Sequence, residues 1–94
     1  MTAQDSVRAT ARIVNRKGLH ARASAKFVET VAKFRADITV TKGDASVSGR
    51  SIMGLMMLAA SLDTTIDLEA QGPEAKEALM ALLTLIAARF HEDE

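Results

Sequence analysis

The hydrophobic pattern of this chain changes period along its length, and that restricts the folds open to it. SVRATARIV (6–14) alternates, with Val7, Ala9, Ala11 and Ile13 on one face and Arg8, Thr10 and Arg12 on the other. Period two marks a half-buried strand. ADITVTK (36–42) repeats the pattern with Ile38 and Val40 inward, and TTIDLEAQ (64–71) repeats it with Ile66 and Leu68 inward. ASVSGR (45–50) reads as a short partner strand, joined through the hairpin signal KGDA (42–45). Between these stretches the period lengthens to three and four. From His20 onward, Ser24, Phe27, Val28, Val31 and Phe34 recur on one helical face. SIMGLMMLAAS (51–61) reads as a short apolar helix with Ser51 as its N-cap. GPEAKEALMALLTLIAARF (72–90) is the last helix. Pro73, Glu74 and Glu77 suit its start, and Ala75, Leu79, Leu82, Ile86 and Phe90 form its stripe. The closing HEDE is expected to fray, because acid is unfavourable at a helix C-terminus.

The predicted order is βαββαβα. Four strands with one apolar face each, and three helices to cover that face, make an α/β (α+β) open-faced two-layer sandwich with an antiparallel sheet. Residues 1–94 read as one domain.

Composition then removes several functions. Lysine plus arginine number 12 and aspartate plus glutamate 12, so the basic excess of a nucleic-acid binder is missing. Aromatic platforms for bases are scarce, with three phenylalanines and neither tyrosine nor tryptophan. Without cysteine there are no disulfides and no thiolate metal sites. No N-terminal run reads as a signal peptide and no apolar run spans a membrane, so the cytoplasm is the expected compartment. No cofactor and no metal are expected.

One stretch, NRKGLHARASAKF (15–27), carries chemistry. A lone histidine near a helix start is most often a surface or capping residue, and His91 in its acidic tail is read that way. His20 has different neighbours. Gly18 permits a tight turn ahead of it. N–H groups of a first helical turn, including those of Ala21 and Ala23, lack intrahelical acceptors and form an anion cradle. Arg22 adds a cation whose fork suits phosphate oxygens, with Arg16 and Lys17 just upstream. A neutral imidazole beside such a cradle is a nucleophile suited to accept a phosphoryl group. There is no P-loop, carboxylate pair or Ser/His/Asp set to draw on a nucleotide. Donor and acceptor would then be other proteins, and the chain a carrier rather than a self-sufficient enzyme.

GLHARASA (18–25) resembles the active-site signature of the HPr family, the histidine phosphocarriers of the phosphoenolpyruvate-dependent phosphotransferase system. SIMGLMMLA (51–59) is similar to the segment around that family's regulatory serine. The resemblance implies that His20 is phosphorylated on Nδ1 by enzyme I and passes the group to an enzyme IIA protein. It implies that Arg22 attends the phosphoryl group, and that Ser51 matches the serine modified by HPr kinase/phosphorylase in some bacteria. Ala23 stands where the signature usually has proline; alanine keeps its N–H and leaves a less rigid loop, and transfer is expected to survive. The N-x-x-G-L-H opening, Ala23 and SIMGLMMLAAS look more like the nitrogen-related, regulatory branch than the sugar-transport branch.

The second predicted helix is more apolar than one core face requires. Leu55 and Leu58 are expected inward, and Ile52, Met53 and Met56 outward as a partner-docking patch. Single methionines often fill core gaps, but so small a domain cannot hide the whole set. A monomer with a free face is expected. Two rival readings remain: an HPr-like regulatory binding module whose phosphorylation is only a switch, and a small ligand-binding α/β domain, which gives Arg22 no role.

Overall fold

Strand β1 (Ser6–Arg12) leads through a loop to helix α1 (Ala21–Val31), then to the hairpin of β2 (Asp37–Lys42) and β3 (Ala45–Ser48). Helix α2 (Ile52–Met57), strand β4 (Thr65–Gln71), helix α3 (Ala75–Ala87) and a 3-10 turn (Arg89–His91) follow in this computed structural model, which describes residues 6–92. The strands form one antiparallel sheet in the order β1-β4-β2-β3. Register agrees with the alternation in the sequence: Ala9 faces Leu68, Ala11 faces Ile66 and Val40 faces Leu68. These side chains point to the helices and join Phe27, Val31, Leu55, Leu58, Leu82 and Ile86 in the core.

The opposite face is open and polar. Thr10 donates to Asp67 at 2.8 Å, Ser6 donates to Glu69 at 2.7 Å, and Arg8 reaches Glu69 at 3.2 Å. These are exposed contacts worth little each, and they suit a surface that faces water. No helix among the described residues is long and apolar enough to cross a membrane.

Several boundaries differ from the sequence reading: β1 ends at Arg12 instead of Val14, β3 at Ser48 instead of Arg50, and α2 at Met57 instead of Ser61. α1 stops at Val31, so Phe34 lies beyond the helix, partly buried against the core. α3 stops at Ala87 instead of running through Phe90. No glycine or proline ends it there. Arg89, Phe90 and His91 take left-handed backbone angles (φ 58, 54 and 62). Such angles cost a non-glycine residue roughly 1–2 kcal/mol. Phe90 offsets part of that: it is fully buried, which is worth about 1.5–3 kcal/mol, and its carbonyl accepts from Lys26 Nζ at 2.6 Å.

The turn sends the chain back over α1. The expected frayed tail is therefore corrected for His91 and Glu92: both are placed, and Glu92 returns to His20. Asp93 and Glu94 lie outside the described residues.

Candidate functional site

The loop between β1 and α1 is built on two residues. Asn15 is fully buried, and its Nδ2 donates to the Gly18 carbonyl at 2.9 Å. Gly18 has φ +63, and a Cβ there would sit 2.2 Å from the Ala60 carbonyl oxygen. Leu19 N–H then donates to that same oxygen at 2.9 Å, which fastens the loop to the segment following α2. Leu19 is buried, so the next residue, His20, is left at the surface with its ring partly covered.

His20 is the N-cap of α1. Its backbone is extended (φ −79, ψ −176), and its carbonyl accepts the first helical bond, from Ser24 N–H at 2.9 Å. The ring has two distinct partners. Nδ1 accepts from the Arg22 N–H at 3.3 Å, a long bond. Nε2 lies 2.5 Å from Glu92 Oε2. A carboxylate can only accept, so the proton sits on Nε2 and Nδ1 keeps its lone pair.

An open basic pocket surrounds the ring, lined by Arg16, Lys17, Arg22 and Lys26 together with His91 and Glu92. The Arg22 guanidinium has no hydrogen-bond partner among the described residues. Among the described residues, Glu92 is the only carboxylate of the lining. Burial pushes its carboxyl up, but bonds from His20 and Asn15 and the charges of His20 and Lys26 outweigh that and hold it below the usual carboxylate range. It is therefore ionised at neutral pH.

His20 and Arg22 thus come together as expected. Gly18, Ala21 and Ala23 do not line the pocket. Gly18 shapes the loop, Ala21 is exposed in the first helical turn, and the Ala23 side chain packs into the core. The sequence reading missed Asn15, Lys26, His91 and Glu92. Lys26 stands at a helical spacing from Arg22 and could have been found on that ground. Among the described residues there is no group of three or more metal-ligating acids and histidines.

Ser51 caps α2 as its position suggested, with Oγ accepting from Gly54 N–H at 2.9 Å. Leu55 and Leu58 are buried, while Ile52, Met53 and Met56 are exposed. The apolar surface is larger than the sequence reading drew it, because Met57 (76% exposed) extends it. Met57 is four residues past Met53, so helical spacing alone puts them on the same side. Met53 is 68% exposed. Met53→Glu should therefore leave the melting temperature nearly unchanged, since surface changes stay within about 0.5 kcal/mol. It should also weaken binding to a phosphoryl donor at this face. A large fall in melting temperature would assign Met53 to the core.

Fold and site together define a small open-faced sandwich that presents a histidine, Nδ1 bare, at a helix N-terminus among cations. The family model described as the PTS HPr component phosphorylation site matches residues 7–88, and the chain belongs to the HPr family. It is 52% identical to the phosphocarrier protein HPr of Neisseria meningitidis serogroup B over 82 residues, 87% of this chain and 92% of that protein. It is 40% identical to the phosphocarrier protein NPr of Shewanella violacea, over 85% of this chain and 88% of that one. The NPr relative fits the nitrogen-related reading of the sequence, and relatives of higher identity carry the HPr name. Among solved structures, HPr-C-His of Thermoanaerobacter tengcongensis superposes with a TM-score of 0.89 at 41% identity, covering 94% of this chain and 99% of that one. A second structure of HPr from that organism is of a dimer (TM-score 0.74, 43% identity, covering 89% of this chain and 97% of that one).

Proposed function

We propose that this chain is a phosphocarrier of the phosphotransferase system that accepts a phosphoryl group on Nδ1 of His20 from phosphorylated enzyme I. It hands the group to a histidine of an enzyme IIA protein. The observation that carries this reading is the division of labour on the ring: Nε2 is engaged by Glu92, and Nδ1 offers its lone pair at the start of α1. When Nδ1 bonds to phosphorus it can no longer accept from the Arg22 N–H. A phosphate oxygen takes that hydrogen bond instead, so the helix remains capped. Arg22 supplies charge-assisted contacts to the same oxygens. The working compartment is the cytoplasm.

The test is incubation with enzyme I and phosphoenolpyruvate, followed by intact-mass measurement and then addition of an enzyme IIA. The mass should rise by one phosphoryl group and return to its starting value once the acceptor is added. If the group is gained and no enzyme IIA ever removes it, the chain is a regulatory module and not a carrier.

That second reading has an observation of its own, the exposed methionines of α2 beside the Ser51 cap. A negative charge on Ser51 would stand at the rim of this apolar surface. Ser51→Asp keeps a capping oxygen, so the fold should persist, while docking of an acidic, phosphorylated donor should weaken. The initial rate of His20 phosphorylation at limiting carrier should fall several-fold, on the scale of about 1 kcal/mol for an exposed charge. An unchanged rate would make Ser51 a helix cap here, without the regulatory role over His20 phosphorylation that the resemblance implies.

A further inference from the structure

The cations around His20 pose a conflict. Arg16 and Lys17 from the loop and Arg22 and Lys26 from α1 all favour an incoming phosphoryl group. They also disfavour positive charge on the ring, and transfer creates that charge. Nδ1 gives its lone pair to phosphorus, and the bond from phosphorus to the donor atom breaks with its pair left on the donor. Nε2 keeps its proton throughout, so the imidazole becomes an imidazolium. Onward transfer runs the same steps in reverse, and the ring leaves as neutral imidazole.

We infer that Glu92 is a positioning residue for this chemistry: its carboxylate holds His20 in the Nε2–H form with Nδ1 bare, and balances the charge the ring acquires. The inference rests on the reading that His20 Nδ1 is the acceptor. Three observations carry it. The carboxylate meets Nε2 at 2.5 Å, with a side chain only 12% exposed. Its other oxygen accepts from the buried Asn15 Nδ2 at 3.1 Å, and Asn15 is itself tied to Gly18 of the active loop. The carboxylate is therefore oriented at both ends. The chain reaches this place only through consecutive left-handed residues, Arg89 to His91, anchored by buried Phe90 and by Lys26 on its carbonyl. Strain of this kind persists where the surrounding structure holds it, and it clusters at working sites. The logic is that of a carboxylate that orients a catalytic imidazole and stabilises its cation without taking its proton.

The experiment compares wild type, Glu92→Gln and Glu92→Ala on the full chain. The ring nitrogens of unphosphorylated His20 are observed by nitrogen-15 NMR, and phosphorylation by enzyme I is followed by intact mass. Gln keeps an acceptor without the charge, so the Nε2–H form should survive while transfer slows. Ala removes both, so the two tautomers should mix and transfer should slow further, by about ten- to a hundredfold. A residue with only a structural role would not move the ring-nitrogen shifts. Wild-type shifts and wild-type rates in Glu92→Ala would overturn the inference, and His20 would still be labelled in that case. Failure of the underlying reading looks different: wild-type protein would then carry its phosphoryl group elsewhere.

Discussion

His20→Ala is expected to gain no mass after incubation with enzyme I and phosphoenolpyruvate, while wild type gains one phosphoryl group. The effect should be complete, because no other group in the pocket offers a bare, oriented nitrogen. His91 lines the same pocket and is the natural control. It lies in the left-handed turn, its backbone N–H is bonded to the Ala88 carbonyl, and neither Glu92 nor the start of α1 engages its ring. His91→Ala should be labelled like wild type. The fold should survive His20→Ala: the ring contributes one long cap bond and the Glu92 contact, and loss of a good N-cap costs typically about 1 kcal/mol. A melting curve close to wild type, together with an unshifted mass, is the expected pair of results. Label on the alanine variant, or its loss from His91→Ala, would move the acceptor away from His20.

Gly18→Ala should have the largest effect on stability. Its added Cβ meets Ala60 O at 2.2 Å and Ser61 Cα at 2.9 Å, and both are backbone atoms that cannot rotate aside. The left-handed angle alone costs alanine roughly 1–2 kcal/mol. Moving the loop away also breaks the bond from Leu19 N–H to Ala60 O, worth about 1 kcal/mol, and leaves a buried donor unpaired. Together these come to about 3 kcal/mol or more, and at roughly 4–8 °C per kcal/mol the melting temperature should fall by at least about 12 °C. Gly43→Ala separates the two causes. Gly43 has φ +60 with nothing within 4 Å of the added carbon, so it carries the conformational cost without the collision. If the two variants melt alike, the loop absorbs the Cβ and the close approach to Ala60 has no role in placing His20.

Local chemistry was legible in the sequence and distant contacts were not. Alternation gave β1, β2 and β4 their inward residues, because a strand's faces depend only on its own spacing. His20 and Ser51 were legible as helix starts for the same reason. The order β1-β4-β2-β3 was not, since pairing depends on which edges meet and the apolar faces are alike. Glu92 was read as part of a fraying tail, a fair inference from an acid at a helix end. Its partners His20 and Asn15 lie 72 and 77 residues away, and no local pattern announces them. Asn15 looked like turn chemistry and does sit in a turn, but its contact to Glu92 depends on the chain's return to the loop. Phe90 fits the helical spacing of α3 and is buried as that spacing suggested, yet it reaches the core by leaving the helix.

The bond that ties the histidine loop to the segment after α2 governs how the carrier can circulate. Leu19 is fastened to Ala60, so the reacting ring and the exposed methionines form one rigid surface. If donor and acceptor both dock there, as the proposed function requires, one excludes the other, and exchange would proceed by alternating occupancy instead of through a three-protein complex. Residence time then limits flux. A turnover of about 100 per second, with association near 10^7 per molar per second, requires a dissociation constant of about 10 μM or weaker. Tighter docking would saturate the carrier and slow delivery, so an apolar surface of modest grip serves relay better than a strong one.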